Sequence, residues 1–160
     1  MSKPLITLVA AVSDNNVIGS HNDLPWYIPE DLKRFKALTT GKTVVMGKNT
    51  FDSIMKRIGK PLPNRTNVVL TRQPATDLPD GVIVIHDPKE ALELPAEEIM
   101  VIGGGQIYAQ FMNLANKLEV THVHKQVDGD IMFPAVDWSG WKKTFEEPHD
   151  GFSFATYERV

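Results

Sequence analysis

Cysteine is absent from this 160-residue chain. That excludes disulfides, thiol nucleophiles and thiolate metal sites, and it suits a reducing compartment. No apolar stretch approaches the ~18 residues of a membrane-spanning helix. The run Leu5-Ile6-Thr7-Leu8-Val9-Ala10-Ala11-Val12 after Lys3 has a faint likeness to a signal peptide. It lacks a multiply basic start, however, and its length matches a buried central strand. Internal repeats, low-complexity tracts and a Pro/Gly/Ser-rich linker are missing as well, so residues 1–160 are expected to form one domain. A metal centre lacks ligands: His122 and His124 alternate along one strand, but no third ligand stands at matching spacing. Both are therefore assigned to the sheet surface.

What remains is ordinary globular material, with 42% hydrophobic and 23% charged residues, enough for a sizeable core. The net charge of −3 hides an asymmetry. Between Lys33 and Arg72 ten Lys and Arg face one acid, Asp52, giving +9, whereas from Gln73 onward six bases face fifteen acids, giving −9. Two readings stay open on charge alone: a solvated surface, or a local positive field that attracts a multiply anionic ligand. Nucleic acid fits poorly, because the isoelectric point is near 5.9 and Phe35 and Phe51 are the only aromatics in the basic segment.

Short β-rich runs alternate with helical patterns. Strands are expected at Ile6–Val12, Thr43–Met46, Asn67–Thr71, Val82–Ile85, Ile99–Ile102 and Leu118–His124, and helices at Pro29–Leu38, Lys48–Met55, Pro88–Leu94 and Gln106–Leu114. The third helix has a readable start, with Asp87 as cap, Pro88 at the first position and Glu90 closing a capping box. Such alternation implies a mainly parallel sheet covered on both faces. The tail departs from it: Trp141–Glu146 and Phe152–Glu158, joined by Pro148-His149-Asp150-Gly151, read as an antiparallel hairpin. The fold class is α/β, a mixed sheet with an antiparallel edge.

The most informative residue is an acid on an apolar face. With Asp31 at zero and about 100° per helical residue, Phe35 falls near 40°, Leu38 near −20° and Leu32 near 100°. Glu30, Lys33 and Lys36 point away from that face. A carboxylate buried there is costly unless something satisfies it. An acid in a first helical turn also favours the dipole, but Glu30 can do that from the surface. Asp31 is therefore expected to hold a cationic or amidine-like group by paired hydrogen bonds, with a pKa raised by burial.

A second feature is Val101-Ile102-Gly103-Gly104-Gly105-Gln106-Ile107-Tyr108, a strand running through three glycines into a helix. Glycines let backbone amides approach a phosphate, and a helix start offers free N–H groups. The pattern is not G-x-G-x-x-G, so the Rossmann fingerprint is absent, and the glycines also fit plain turn chemistry. Gly47-Lys48-Asn49-Thr50 and Thr71-Arg72 put basic residues at two further strand ends, where ligands gather in open α/β sheets. Together they suggest a dinucleotide with an extra phosphate, although each basic residue alone reads as surface charge. Asp14 to Tyr27, rich in Asn, Asp and Gly, has the composition of a lid. Trp26 suits either core filling or a site wall.

Val17-Ile18-Gly19, Leu24-Pro25-Trp26, Pro29-Glu30-Asp31-Leu32, Val45-Met46-Gly47, Pro61-Leu62-Pro63-Asn64-Arg65, Ile102-Gly103-Gly104-Gly105 and Gly129-Asp130 stand in the order and approximate spacing of a bacterial dihydrofolate reductase. The chain resembles that family over essentially its whole length. The resemblance implies a central eight-stranded, mostly parallel sheet with four flanking helices. It implies hydride transfer from NADPH to C6 of 7,8-dihydrofolate with a proton gained at N5, giving tetrahydrofolate for one-carbon metabolism. It further implies a cytoplasmic monomer, open to diaminopyrimidine or pteridine antifolates, with no nucleic-acid or membrane partner.

By the same resemblance, Asp31 binds the 2-amino group and N3 of the pteridine, and Trp26 and Thr121 orient substrate and water around it. Val9, Ala10 and Ile102 lie at the pteridine. Leu32, Phe35, Ile54 and Leu62 wall the benzoyl group, and Arg65 clasps the glutamate α-carboxylate, a bidentate task ill suited to Lys. Ala11, Ile18 and Gly19 lie along the nicotinamide. Gly47, Lys48, Asn49, Thr50, Leu70, Thr71, Arg72 and the turn Gly103, Gly104, Gly105, Gln106, Ile107, Tyr108 hold the phosphates and adenosine.

Three departures from the family pattern stand out. Gln106 replaces the Arg of some relatives, so the 2′-phosphate rests on Lys48 and Arg72. Met55-Lys56-Arg57-Ile58 resembles an insertion near the folate mouth, and Ser20-His21-Asn22-Asp23 is an unusual loop tip, with His21 read as a surface residue. The alternatives are a same-fold reductase of another pterin-like substrate, such as that of riboflavin biosynthesis, and a silent dinucleotide-binding module. Neither requires Asp31 and Arg65 together.

Overall fold

The computed structural model describes residues 3–19, 27–74 and 77–160. In chain order the elements are β1 (Leu5–Ser13), β2 (Val17–Gly19), α1 (Pro29–Thr39), β3 (Thr43–Gly47), α2 (Lys48–Ile58), β4 (Thr66–Leu70), β5 (Ile83–Ile85), β6 (Glu98–Gly103), α3 (Gly105–Phe111), β7 (Lys117–Val123), β8 (Ile131–Met132), β9 (Trp141–His149) and β10 (Phe152–Arg159). Short 3₁₀ helices lie at Pro88–Glu93 and Trp138–Gly140.

Eight strands form one sheet in the order β5-β4-β3-β6-β1-β7-β10-β9. Neighbours from β5 to β7 run parallel, and β10 and β9 add antiparallel at one edge. The mostly parallel sheet and its antiparallel tail are as expected. The apolar runs of the parallel strands follow from burial on both faces. Leu8, Val45 and Val101 enter one core cluster with Ile107, Tyr108 and Phe111 of α3. Their alternates Val9, Val44, Met46 and Met100 enter another with Phe51 and, from α1, Phe35 and Leu38.

Several boundaries differ from the sequence reading, for local reasons. The capping box at Asp87 and Glu90 is present, but the segment is 3₁₀ rather than α-helical. Pro95 forces Leu94 into extended backbone (ψ 146°), which stops the turn before an α-helix can propagate. The last helix ends at Phe111 rather than Leu114 because the Asn116 amide is committed to Ile6 of β1 (2.8 Å) and Arg159 takes the Met112 carbonyl (2.6 Å). Residues Met55–Ile58 are the closing turn of α2, ended by Gly59 at φ 76°. The β9–β10 hairpin extends to His149 and turns through Asp150-Gly151 alone, Gly151 taking φ 84°. The small β2–β8 sheet was not anticipated, since two- and three-residue strands carry no readable period.

Candidate active site

The site begins where the sheet opens. β1 pairs with β6 only as far as Leu8 and Val101, although β1 goes on pairing with β7 to Ser13 and Val123. Beyond that point Val9, Ala10 and Ala11 on one side, and Ile102 and Gly103 on the other, line a cleft of about 1580 Å³. A pocket for a single drug-sized ligand measures roughly 300–1,000 Å³, so there is room for two. The Tyr108 hydroxyl from α3 donates to the Val9 carbonyl (2.6 Å), satisfying an acceptor that β6 no longer reaches. Burial, with the Asp31 charge nearby, raises that hydroxyl's pKa, so it stays a neutral donor.

Asp31 lines the cleft, half-buried in the first turn of α1. The buried Thr121 hydroxyl of β7 donates to Asp31 Oδ1 (2.5 Å). Burial raises the carboxyl's pKa from its ordinary 3.8, while the Thr121 hydrogen bond and the Arg34 charge pull it back. The result is a carboxylate held in one orientation through Oδ1.

At one mouth of the cleft, the buried Asn67 pins the 61–65 loop. Its side chain accepts from the Leu62 amide (3.1 Å) and donates to the Leu62 and Arg65 carbonyls (2.9 and 3.3 Å). Arg65 then donates from Nε to Thr39 Oγ1 (2.9 Å) and from Nη1 to the Pro63 carbonyl (2.9 Å), with its guanidinium 5.9 Å from the Phe35 ring centre. Leu32, Phe35, Ile54 and Leu62 form apolar walls between Asp31 and Arg65.

The other arm passes the C-terminal ends of β3, β4 and β6, lined by Gly47, Lys48, Asn49, Thr50, Leu70, Thr71, Arg72 and the turn from Gly103 to Tyr108. Gly103 adopts φ 135°, which only glycine takes without strain. A Cβ on Gly105 would lie 2.7 Å from the Met132 carbonyl, and one on Gly47 would lie 2.8 Å from Ile107 Cγ1. The arm is thus a bare-backbone cradle rimmed by cations and hydroxyls, and its donors match a phosphorylated dinucleotide. Lys48 pairs with Asp52 (2.6 Å) on the helix surface, a contact worth only ~0.3–0.5 kcal/mol and easily exchanged.

The family model described as dihydrofolate reductase matches residues 5–159. The chain belongs to the dihydrofolate reductase family. It is 43% identical over 160 residues to dihydrofolate reductase HdrB of Haloferax volcanii, covering 95% of this chain and 82% of that protein. It is 38% identical over 165 residues to the dihydrofolate reductase of Bacillus subtilis, covering 97% and 95%. Among solved structures, dihydrofolate reductase from Enterococcus faecalis complexed with NADP(H) and RAB-propyl superposes with a TM-score of 0.86 at 33% identity, covering 99% of this chain and 98% of that one.

In this dihydrofolate reductase family member, the one cleft brings together Val9, Ala10, Ala11, Ile18, Asp31, Leu32, Phe35, Ile54, Leu62, Arg65, Thr121 and the whole expected dinucleotide set from Gly47 to Tyr108. Gly19 closes β2 opposite Ile131. Trp26 and the Ser20–Asp23 tip lie outside the described residues. Sequence reasoning missed Arg34 and Glu119, both in the cleft wall. An Arg three residues after Asp31 reads as an ordinary surface charge. Glu119 had a signal that went unused, a carboxylate in the apolar run Leu118-Glu119-Val120 of a central strand. His122 and His124 bond Tyr157 and Ser153 within the sheet (2.8 and 3.1 Å).

Proposed function

We propose that this chain, acting over residues 1–160 as one domain, reduces 7,8-dihydrofolate to 5,6,7,8-tetrahydrofolate, with NADPH as reductant. The observation that carries the reading is Asp31 fixed by Thr121 in the same cleft that the glycine cradle and Arg65 line. NADPH, when bound, supplies the hydride that reaches C6 of the pteridine.

The protein's own residues do the rest. The Asp31 carboxylate accepts from the 2-amino group and N3 of the pteridine, and its paired bonds fix the ring plane. Thr121 prevents the carboxyl from rotating. A negative charge at that end of the ring favours a proton at N5, delivered through water and retained as N5–H in the product. The apolar walls keep the reacting atoms in a low dielectric, where the Asp31 charge acts more strongly. Arg65 anchors the glutamate α-carboxylate and sets the distance to the ring. Lys48 and Arg72 hold the 2′-phosphate, with Gln106 beside them in the cleft wall.

Diaminopyrimidine and pteridine antifolates compete through the same Asp31 contacts. Among the described residues no helix is long and apolar enough to cross a membrane. A cytoplasmic monomer belongs to this reading, supported by the cysteine-free composition and by the reduced cofactor it uses.

The test is the fall in NADPH absorbance when dihydrofolate is added to the purified protein. Rapid oxidation that requires dihydrofolate supports the reading. A folded protein that leaves NADPH unconsumed overturns it.

A further inference from the structure

The wall behind Asp31 holds an ion pair that the proposed reaction has not used. Arg34 follows Asp31 by three residues on α1, on the same helix face. Its Nη2 lies 3.3 Å from Glu119 Oε1, with the two side chains only 20% and 8% exposed. The Thr156 hydroxyl of β10 donates to the same Glu119 oxygen. The Arg34 guanidinium carbon stands 4.8 Å from the Phe154 ring centre and 5.5 Å from that of Phe145. Glu119 sits two residues before Thr121 on β7, so their side chains share one face of the strand. Both charges line the cleft with Asp31 and Thr121.

A surface ion pair is a loose contact worth little. This one differs, because an aromatic ring fixes the guanidinium from one side while a buried carboxylate, itself tied to a second strand, fixes it from the other. Burying such a pair costs desolvation that its own attraction barely offsets. Apolar side chains would fill the same space at less cost, so its place beside the site calls for a role other than stability.

We propose that Arg34, clamped by Glu119, is a positioning residue that supplies a fixed positive charge beside Asp31 and thereby favours the charged form of the pteridine-binding carboxylate. This rests on the proposed reduction for its purpose, but not for its geometry. Among the described residues, Arg34 from α1 and Tyr108 from α3 couple to Asp31 by charge, and Glu119 from β7 reaches it through Arg34, while Lys36, Lys48, Arg57, Arg65, Arg72 and Asp130 line the same cleft. Glu30 and Lys33 on α1 are exposed. Tyr108 is neutral, and Arg34 is the charge that acts on Asp31. Arg34 opposes the burial that raises the Asp31 carboxyl, and Glu119 limits that help by drawing the guanidinium to itself.

The two members of the pair therefore have opposite effects on one observable. The experiment is a carboxyl-carbon NMR titration of Asp31 in ligand-free protein, its signal assigned by its loss in Asp31→Asn. Arg34→Met, which keeps the stem and removes the charge, moves the Asp31 midpoint up. Glu119→Gln, which keeps the acceptor for Thr156 and frees the guanidinium, moves it down. Arg34→Lys returns the midpoint toward wild type. Hydride-transfer rate profiles against pH shift in the same directions.

A purely structural pair would change thermal stability and leave the midpoint where it was. Midpoints that stay put, move the same way in Arg34→Met and Glu119→Gln, or respond alike to Arg34→Lys and Arg34→Met overturn the proposal. If Arg34→Met does not fold, Glu119→Gln alone decides: a fall supports the clamp, and no change or a rise overturns it. Because this titration needs no substrate, its outcome is independent of whether wild type oxidises NADPH with dihydrofolate.

Discussion

Asp31 places a carboxylate where burial disfavours its charge, and the consequence can be read in stability as well as in chemistry. Its pKa is raised in the folded protein above the ordinary 3.8. Below that value both folded and unfolded states are protonated and the charge matters to neither. As pH rises from 3.8 through the folded pKa, the unfolded state gives up its proton first, so stability falls with rising pH and stays lower above that window. Asp31→Asn avoids this cost. The variant is expected to melt slightly above wild type at neutral pH, with the gap closing below pH 3.8; a variant less stable at pH 7 than at pH 3, relative to wild type, contradicts the assignment. Asp31 was legible in the sequence because helical periodicity alone put it among Phe35 and Leu38. Arg34 was not, since its meaning lies in a contact with Glu119, 85 positions away, and Glu119 showed itself only as a carboxylate in an apolar strand.

At the scale of elements, the 61–65 loop is an example of local order imposed from outside. Nothing in Pro61-Leu62-Pro63-Asn64-Arg65 fixes a conformation that aims Arg65. The buried Asn67 side chain does so through the Leu62 and Arg65 backbone, and Thr39 at the end of α1 holds the guanidinium itself. The prearranged Arg loses little side-chain entropy when a carboxylate arrives. Arg65→Ala is predicted to weaken dihydrofolate binding by roughly 10- to 150-fold, from ~1.5–3 kcal/mol of charge-assisted bonding. A pterin lacking the glutamate should bind almost as before. Equal losses for both ligands remove Arg65 from the site. The strands of the main sheet and the Asp87 cap were legible because they depend on local pattern. Where tertiary contacts decide, as with Asn116 and Arg159 ending α3, the sequence reading overran.

Across the whole molecule, the two ends of the sheet do different work. The C-terminal strand ends open into the cleft, and six of the ten basic residues between Lys33 and Arg72 line it: Arg34, Lys36, Lys48, Arg57, Arg65 and Arg72. At the opposite ends, Glu98 at the start of β6 ties neighbouring strands together, bonding Lys42 (2.7 Å) and Thr7 (2.6 Å), with Lys117 at 3.6 Å. Burial pushes the Glu98 carboxyl up, but hydrogen bonds from Lys42 and Thr7, with the charges of Lys117 and Lys42, more than offset it and hold it below its ordinary 4.5. The stability this supplies is fully present above pH 4.5 and is lost as pH falls through the lower folded value. Glu98→Gln should cost on the order of 1–2 kcal/mol at pH 7, seen as a fall of ~2–8 °C in Tm, with the difference shrinking in acid. A deficit that persists unchanged below pH 3 refutes the charge-based account. This network was not legible in the sequence, because Thr7, Lys42, Glu98 and Lys117 are brought together only by strand order.

The account turns on Asp31, and the most direct measurement is the single-turnover rate of hydride transfer from NADPH to dihydrofolate, for wild type and Asp31→Asn, followed from pH 5 to pH 9. The prediction is that Asp31→Asn binds NADPH normally and loses on the order of 10²-fold or more at neutral pH, less at acidic pH where the substrate itself takes up the proton. A variant that transfers hydride at near wild-type rate at pH 7 contradicts it.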